Sequence, residues 1–385
     1  MIRVCFYGIL VIACSFGLWI VHHSAQDGTW ISRQLYPLES LLTSNNEHCQ
    51  GSKEKLLKQV LQAGREQGSL ASQVAYLSPN GEMSWCASAS YGETPNNNAR
   101  YRYASLTKIF TAQALLTVMH EKNIPLNTPL YTFIPQARIA KDTRWQEVTV
   151  EQLLTHSAGL DRLRSYDPMT RHAVTPWCPG DMGQLKTFKL DFDPGTDYGY
   201  SNLTYCFLGL VVEQLTDVPF TDALENILGI NKFGMQFIAG PYLPDEVQYD
   251  FRHAGFYGEN YYEYIDFPAL ASSAGLSGTA LGLIEWIAVQ RQNNTLTVTQ
   301  HVWPQECDLS KKRACYGYAL FPYRKQGSDL LVQVQQGYVF GASSSLIFDE
   351  HGGVFVWLGN GSAPKGSASD NMLDAMYELL AAHYE

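Results

Sequence analysis

Apolar and polar positions alternate along this chain with rhythms that change several times. Residues 4–21, "VCFYGILVIACSFGLWIV", are almost uninterruptedly apolar behind Arg3, whereas residues 53–67 return apolar side chains at helical intervals among charges. The stretch "QVAYLSPNGEMSWCASA" reads as a hairpin turning at Pro79-Asn80-Gly81. From Ser105 a helical period follows, with Leu106, Ile109, Phe110, Ala112, Leu115, Leu116 and Met119 on its apolar positions. A mostly helical middle contains "LLTHSAGL" and "YCFLGLVVEQL". The carboxyl part supplies strands near 316–323, 329–336, 343–349 and 353–359, with a turn at His351-Gly352-Gly353, and then a final helix. Strands from both ends of the chain, separated by helices, predict an α/β (α+β) fold: one antiparallel sheet flanked by helices, plus a mostly α-helical subdomain.

The candidate chemistry lies where the Ser105 helix begins. Serine is a weak nucleophile until a base takes its proton, and Lys108 stands three residues on, on the same helical face. The spacing S-x-x-K also occurs at Ser52 with Lys55 and at Ser362 with Lys365. Ser52 reads as the N-cap of the helix over 53–67, and Ser362 sits in a Gly/Ser/Pro/Lys loop. Only Ser105 opens a long apolar-periodic helix, where backbone N–H groups and the positive dipole end suit a developing oxyanion. Further on, "FDPGTDYGYSN" combines a Pro194-Gly195 turn with Tyr198, Tyr200 and Asn202.

Taken in order, "YRYASLTKIFTAQALLTVMHEKNIPLNTPLYTFIP", "VTVEQLLTHSAGL", "FDPGTDYGYSNLTYCFLGLVVEQLTDVPF" and "ASSAGLSGTALGLIEWI" resemble successive blocks of the serine β-lactamase-like family, over about residues 72–360. That family holds class C β-lactamases, D-alanyl-D-alanine carboxypeptidases, D-aminopeptidases and related esterases. The resemblance implies that Ser105 is the acylated nucleophile, Lys108 its proton partner and Tyr200 a second acid or base. It implies that Asn202 holds the substrate carbonyl and orients Lys108. It also implies a site in the crevice between the α/β part and an all-α part, roughly 115–285. Tyr198 is the competing tyrosine, but two residues after it stands Tyr200 rather than an asparagine.

One block departs from the family. A lysine or histidine is expected where Gln335-Gln336-Gly337 stands, on a strand where Val332 and Val334 alternate with Gln333 and Gln335, one face packed and one open. A cation there would grip the carboxylate of a penicillin or of a D-Ala-D-Ala terminus, and charge-assisted bonds are roughly twice as strong as neutral ones. Gln335 therefore predicts reduced affinity for such substrates. Gly337 lets substrate lie close to the strand, and the Tyr338 N–H is a candidate second oxyanion donor beside that of Ser105. Ser369-Asp370-Asn371 reads as the start of the last helix rather than as a site motif, and His156 as structural.

The expected activity is an acyl-enzyme serine hydrolase, carboxypeptidase-like or esterase-like on D-amino-acid peptides or esters. A β-lactamase is the alternative within that chemistry, and a binding or scaffold protein with a degenerate site is the alternative outside it. Partners would be small peptide, ester or β-lactam substrates, including cell-wall peptide. No cofactor is expected, and no histidine pair has metal-ligand spacing. At 385 residues and net charge -10, with pI about 5.5 and no basic run, the chain should be repelled by nucleic acid and anionic surfaces. Residues 1–26 read as a signal peptide or membrane anchor, with Val11-Ile12-Ala13-Cys14 resembling a lipoprotein box. Residues 27–52 read as a linker, and 53–385 as the catalytic domain. Export, to a periplasmic or extracellular place, agrees with the even set Cys49, Cys86, Cys178, Cys206, Cys307 and Cys315. The pairing expected is Cys49 with Cys86, Cys178 with Cys206, and Cys307 with Cys315, the second bracing the Tyr200 loop.

Overall fold

The computed structural model describes residues 15, 17, 19–22, 24, 29–168, 175–252, 261–339, 341–361 and 368–384. The apolar run 4–21, the lipoprotein-like box and the Ser362–Lys365 pair lie largely or wholly outside them. No helix among the described residues is long and apolar enough to cross a membrane.

The stretch 27–52, expected as a linker, instead carries helix α1 (Trp30–Thr43) and edge strand β1 (Glu47–Gln50). β1 is Glu-His-Cys-Gln, too short and too polar to show an alternation. It is a strand because β3 pairs with it, with Cys49 directly opposite Cys86 and bonded to it. α1 is tied down by Tyr36, which donates to the Arg65 carbonyl at 2.8 Å.

The main elements follow in chain order: α2 (Glu54–Glu66), β2 (Ser72–Leu77), β3 (Met83–Ser88), β4 (Tyr101–Arg102), α3 (Thr107–Glu121), α4 (Val150–Leu154), α5 (Asn202–Thr216) and α6 (Phe220–Leu228). Then come β5 (Gln236–Phe237), α7 (Phe267–Ala274), β6 (Leu276–Gly278), α8 (Ala280–Gln292), β7 (Phe321–Tyr323), β8 (Val332–Val339), β9 (Ala342–Asp349), β10 (Val354–Gly359) and α9 (Ala368–Tyr384). Ser52 does not cap α2. The cap position is Lys53, and its N–H donates instead to Ser84 Oγ on the neighbouring strand at 3.2 Å.

A seven-stranded sheet of order β1-β3-β2-β10-β9-β8-β7 joins the two chain ends, antiparallel throughout. Both faces are covered, which is why β10 reads as unbroken Val-Phe-Val-Trp-Leu rather than as an alternation. Phe355 and Trp357 pack with Leu57, Leu61, Met376 and Leu380 of α2 and α9. Val354, Val356 and Leu358 face the opposite way, into the core shared with α3 and α8. A small sheet, β4-β6-β5, joins the helical part to the segment just before α3.

At the centre of that second core, the Phe110 ring of α3 lies 4.5 Å from the Trp286 ring and 6.3 Å from Tyr103, and Phe110 is almost wholly buried. Phe110→Ala should lower unfolding stability by about 3–5 kcal/mol through lost burial and the cavity left behind. The shift of the denaturant midpoint at constant slope measures this. A loss below about 1 kcal/mol would mean that the site collapses without penalty.

Candidate active site

Ser105 stands in a single 3-10 turn, Ala104–Leu106, that runs straight into α3. The turn is held from several sides. The Tyr103 amide donates to Leu276 O at 2.9 Å, the Ser344 hydroxyl of β9 donates to Tyr103 O at 2.8 Å, and the Tyr103 hydroxyl donates to Thr279 O at 2.7 Å. Ala104 takes φ 49°, a left-handed conformation costly for a residue with a Cβ, and its methyl is buried with Leu270 and Ala342. The nucleophile candidate is thus fixed by residues far away in sequence.

Lys108 lies one helical turn on and is fully buried. Its Nζ contacts Ser105 Oγ at 3.1 Å, Asn202 Oδ1 at 2.7 Å and the Ser273 carbonyl at 2.8 Å. The Tyr200 hydroxyl reaches Ser105 Oγ from the other side at 2.9 Å. Asn202 opens α5, and its Nδ2 donates to both Asp167 carboxylate oxygens, at 3.0 and 3.2 Å. The structure therefore brings Ser105, Lys108, Tyr200 and Asn202 into one hydrogen-bonded group. Burial is the largest influence on Lys108 and pulls its pKa below the ordinary 10.5, against the upward pull of Tyr200 and Asp167.

Tyr198 is not part of this group. Its ring stacks on Tyr316 at 5.9 Å, and burial pushes its phenol pKa up. His156, also buried, packs 4.5 Å from the Tyr200 ring, and its Nδ1 is 3.0 Å from Thr204 Oγ1. Burial and the Lys108 and Arg162 charges push its pKa well down, so it is a neutral prop under the Tyr200 loop. The three expected disulfides are present. Cys178–Cys206 ties α5, which begins at Asn202, to the loop before Tyr200.

A cleft of about 320 Å³ opens above Ser105 and Tyr200, with Gln335, Gly337 and Tyr338 along one wall. The face expected to be open on β8 is covered. Gln333 donates to Thr299 O at 3.1 Å, and Gln335 is buried, its Oε1 accepting from the Tyr316 hydroxyl at 2.7 Å. Alternation revealed that this face is polar but not that the loop before β7 folds over it. Pairing between β7 and β8 ends at Val334, so the rest of that edge of β8 has no strand partner among the described residues. Gly337 lies against Ser105: a Cβ there would be 2.8 Å from the Ser105 amide nitrogen and 2.8 Å from Tyr103 O.

Four further residues border or support the site. Arg162, Arg313 and Asp370 line the cleft, and Asp167 holds Asn202. Asp370 belongs to the Ser369-Asp370-Asn371 run set aside above. It does fall in the first turn of α9, but its carboxylate also reaches Arg313. The signal available for Arg313 was the short triplet Lys311-Lys312-Arg313 inside the Cys307–Cys315 loop. Nothing in the spacing marked Arg162 or Asp167.

Two expectations follow. The unfolded chain keeps the Lys108 proton up to about pH 10.5, whereas the folded protein releases it lower. The unfolded state therefore binds more protons across that window, and stability rises with pH through it. Lys108→Met should flatten this rise on the alkaline side, below about pH 10.5, as read from denaturant midpoints; an undiminished slope would exclude Lys108 as its source. Gly337→Ala should push the strand off the Ser105 turn and slow modification of Ser105 by about 100-fold, the scale of a 1 Å misplacement, with little loss of melting temperature. A wild-type modification rate would show that strand and turn separate freely.

Comparison with known proteins bears on the family and the fold. The family described as Beta-lactamase matches residues 57–376. A proposed fimbrial assembly protein, FimD of serogroup D from Dichelobacter nodosus, is 36% identical over 356 residues, covering 91% of this chain and 90% of the relative. The D-alanyl-D-alanine-carboxypeptidase/endopeptidase AmpH of Escherichia coli (strain K12) is 31% identical over 144 residues, 35% of this chain and 37% of the relative. A β-lactamase/D-alanine carboxypeptidase from Yersinia pestis superposes with TM-score 0.68 at 18% identity, over 90% of this chain and 99% of that one. The D-amino acid amidase of Ochrobactrum anthropi SV3 superposes with TM-score 0.67 at 17% identity, over 86% and 99%. Both structural likenesses speak to the fold, a sheet flanked by helices with a helical part alongside. With the family match spanning most of its length, the chain belongs to the Beta-lactamase family.

Proposed function

We propose that this protein is an exported serine hydrolase that forms an acyl-enzyme on Ser105 and acts on D-amino-acid peptides or esters. The observation that carries the reading is the convergence of Lys108 Nζ and Tyr200 OH on one hydroxyl, at 3.1 and 2.9 Å, inside a cleft. In this reading the neutral amine of Lys108 takes the Ser105 proton as Oγ attacks the substrate carbonyl. The Ser105 and Tyr338 N–H groups receive the oxyanion, the latter from the unpaired edge of β8. Tyr200 then returns a proton to the leaving group, and water attacks the acyl-enzyme by the reverse path. Asn202, held by Asp167, keeps Lys108 aimed and offers its amide to the substrate. The D-configuration draws support from the named activities of the amidase and carboxypeptidase relatives. The disulfides and the apolar residues 4–21 support export. A β-lactamase activity ranks lower because Gln335 is neutral and already bonded to Tyr316.

A second reading, a non-catalytic assembly protein on the same fold, draws support from relatives named for fimbrial assembly. Intact-mass analysis separates the two. Incubation with a fluorophosphonate should add one adduct to the wild type and none to Ser105→Ala. A persistent penicillin adduct would indicate a penicillin-binding carboxypeptidase, and a rapidly lost one a β-lactamase. No adduct from either reagent would remove the hydrolase reading and leave the assembly role.

A further inference from the structure

An amphipathic helix on a globular protein normally turns its apolar stripe inward and leaves polar side chains to water. Helix α1 does the reverse. With about 3.6 residues per turn, Thr29, Arg33, Tyr36 and Thr43 fall on one side of it, and that side meets the rest of the chain. Tyr36 and Thr43 are buried, the Arg33 guanidinium donates to Arg252 O at 3.1 Å, and the Arg252 guanidinium stands 5.1 Å over the Tyr36 ring. The opposite side carries Ile31, Leu35, Leu38 and Leu42, at steps of four, three and four residues that keep them within about 60° of one another around the axis. Leu41 widens this stripe. All five are exposed, from 44% at Ile31 to 70% at Leu41. Single exposed leucines are ordinary, but a contiguous group of this kind marks an interaction surface.

The surroundings of the stripe say what covers it. The one carboxylate of α1, Glu39, pairs with Arg252 at 2.5 Å, so the apolar side carries no ion that docking would have to desolvate. The apolar residues 4–21 end shortly before α1 in the chain, and their last part lies beside it: the Trp19 ring meets the Trp30 ring edge-on at 5.0 Å, and Trp19 and Val21 are themselves exposed. Five side chains are few beside the roughly 20–30 residues a side that a stable protein–protein interface uses, so a second copy held by this stripe alone would be held weakly. A bilayer demands no such complementarity. Its grip on a helix follows the apolar area buried, and tryptophans settle at its interface.

We propose that α1 is an interfacial helix whose Ile31-Leu35-Leu38-Leu42 stripe lies in the surface of a lipid bilayer, alongside the apolar amino-terminal run. The proposal is independent of the activity assigned to the cleft. It makes α1 a platform rather than a tether. Arg252, which grips the inner side of the helix, also pairs with Asp250 at 2.7 Å, and the Asp250 N–H donates to Asn360 O at 2.5 Å, just past the end of β10. The docked helix therefore sets how the sheet stands against the surface. A net charge of -10 opposes anionic lipid, and the uncharged stripe does not need it.

The test places the photocrosslinker benzoylphenylalanine at Leu38 of the full chain, reconstituted into phosphatidylcholine vesicles. The control position is Ile139, similarly exposed but on the short helical turn Pro135–Ile139. After irradiation, intact-mass analysis should find lipid adduct at Leu38 in about 10-fold excess over Ile139. Adding Leu35→Gln and Leu42→Gln should cut that adduct about 10-fold while the melting temperature holds, since both side chains lie off the packed side. Should the pair unfold the protein, the comparison of Leu38 with Ile139 decides alone. Equal adducts at the two positions, or an adduct that survives both glutamines in a folded chain, would overturn the interfacial helix. So would a crosslink between two copies, which would make the stripe a dimer seam, a crosslink to residues 4–21, which would make it their resting place, or no crosslink at all.

Discussion

A buried amine is the constraint around which this molecule is organised. Lys108 has no exposed surface, so each of its donors needs a partner from the protein, and the partners come from three places: the Ser105 turn at the head of α3, Asn202 at the head of α5 and the Ser273 carbonyl near the end of α7. Any rearrangement that withdraws one of them strands a desolvated polar group. The same burial that makes the arrangement demanding lowers the amine's proton affinity. Structural cost and chemical use here have a single origin.

The sheet supplies what the helices cannot. Ser344 on β9 holds the Tyr103 carbonyl, and Gly337 on β8 admits the Ser105 turn to a distance that no side chain would allow. The register that sets Gly337 opposite Ser344 therefore aligns the strand with the Ser105 turn. Because β7 stops pairing at Val334, the next residues of β8 keep an edge open toward the cleft. The left-handed Ala104 is the local strain accepted for bringing these pieces into contact.

Charge is distributed differently from composition. The chain carries a formal net charge of -10, but among the described residues the cleft is lined by two arginines and one aspartate. Net charge governs solubility and nonspecific contacts, whereas recognition depends on the few groups that desolvate together. The aromatic residues around His156 have a complementary role. Tyr198, Tyr205 and Tyr316 pack on that ring and keep the Tyr200 hydroxyl pointed at Ser105 without joining the chemistry.

Much of this was legible from the chain alone where neighbours in sequence decide the outcome. The three-residue step from Ser105 to Lys108, the period of α3, the turns at Gly81 and Gly352, and the strands of the carboxyl part all depend on local geometry, and the order of motif blocks pointed to the family. What escaped depended on contacts between distant segments. β1 exists only beside β3, and the cap position of α2 falls on Lys53, whose N–H meets Ser84, rather than on Ser52. Gln335 is buried by a loop that its own alternation does not describe, and Asp370, apparently a helix start and no more, meets an arginine 57 residues earlier. Sequence by itself determined which groups could react and which elements would carry them, because propensity and periodicity act over a few residues. Only the tertiary structure decided which charges share the cleft, because packing brings Arg162, Arg313 and Asp370 together from segments that have no pattern in common.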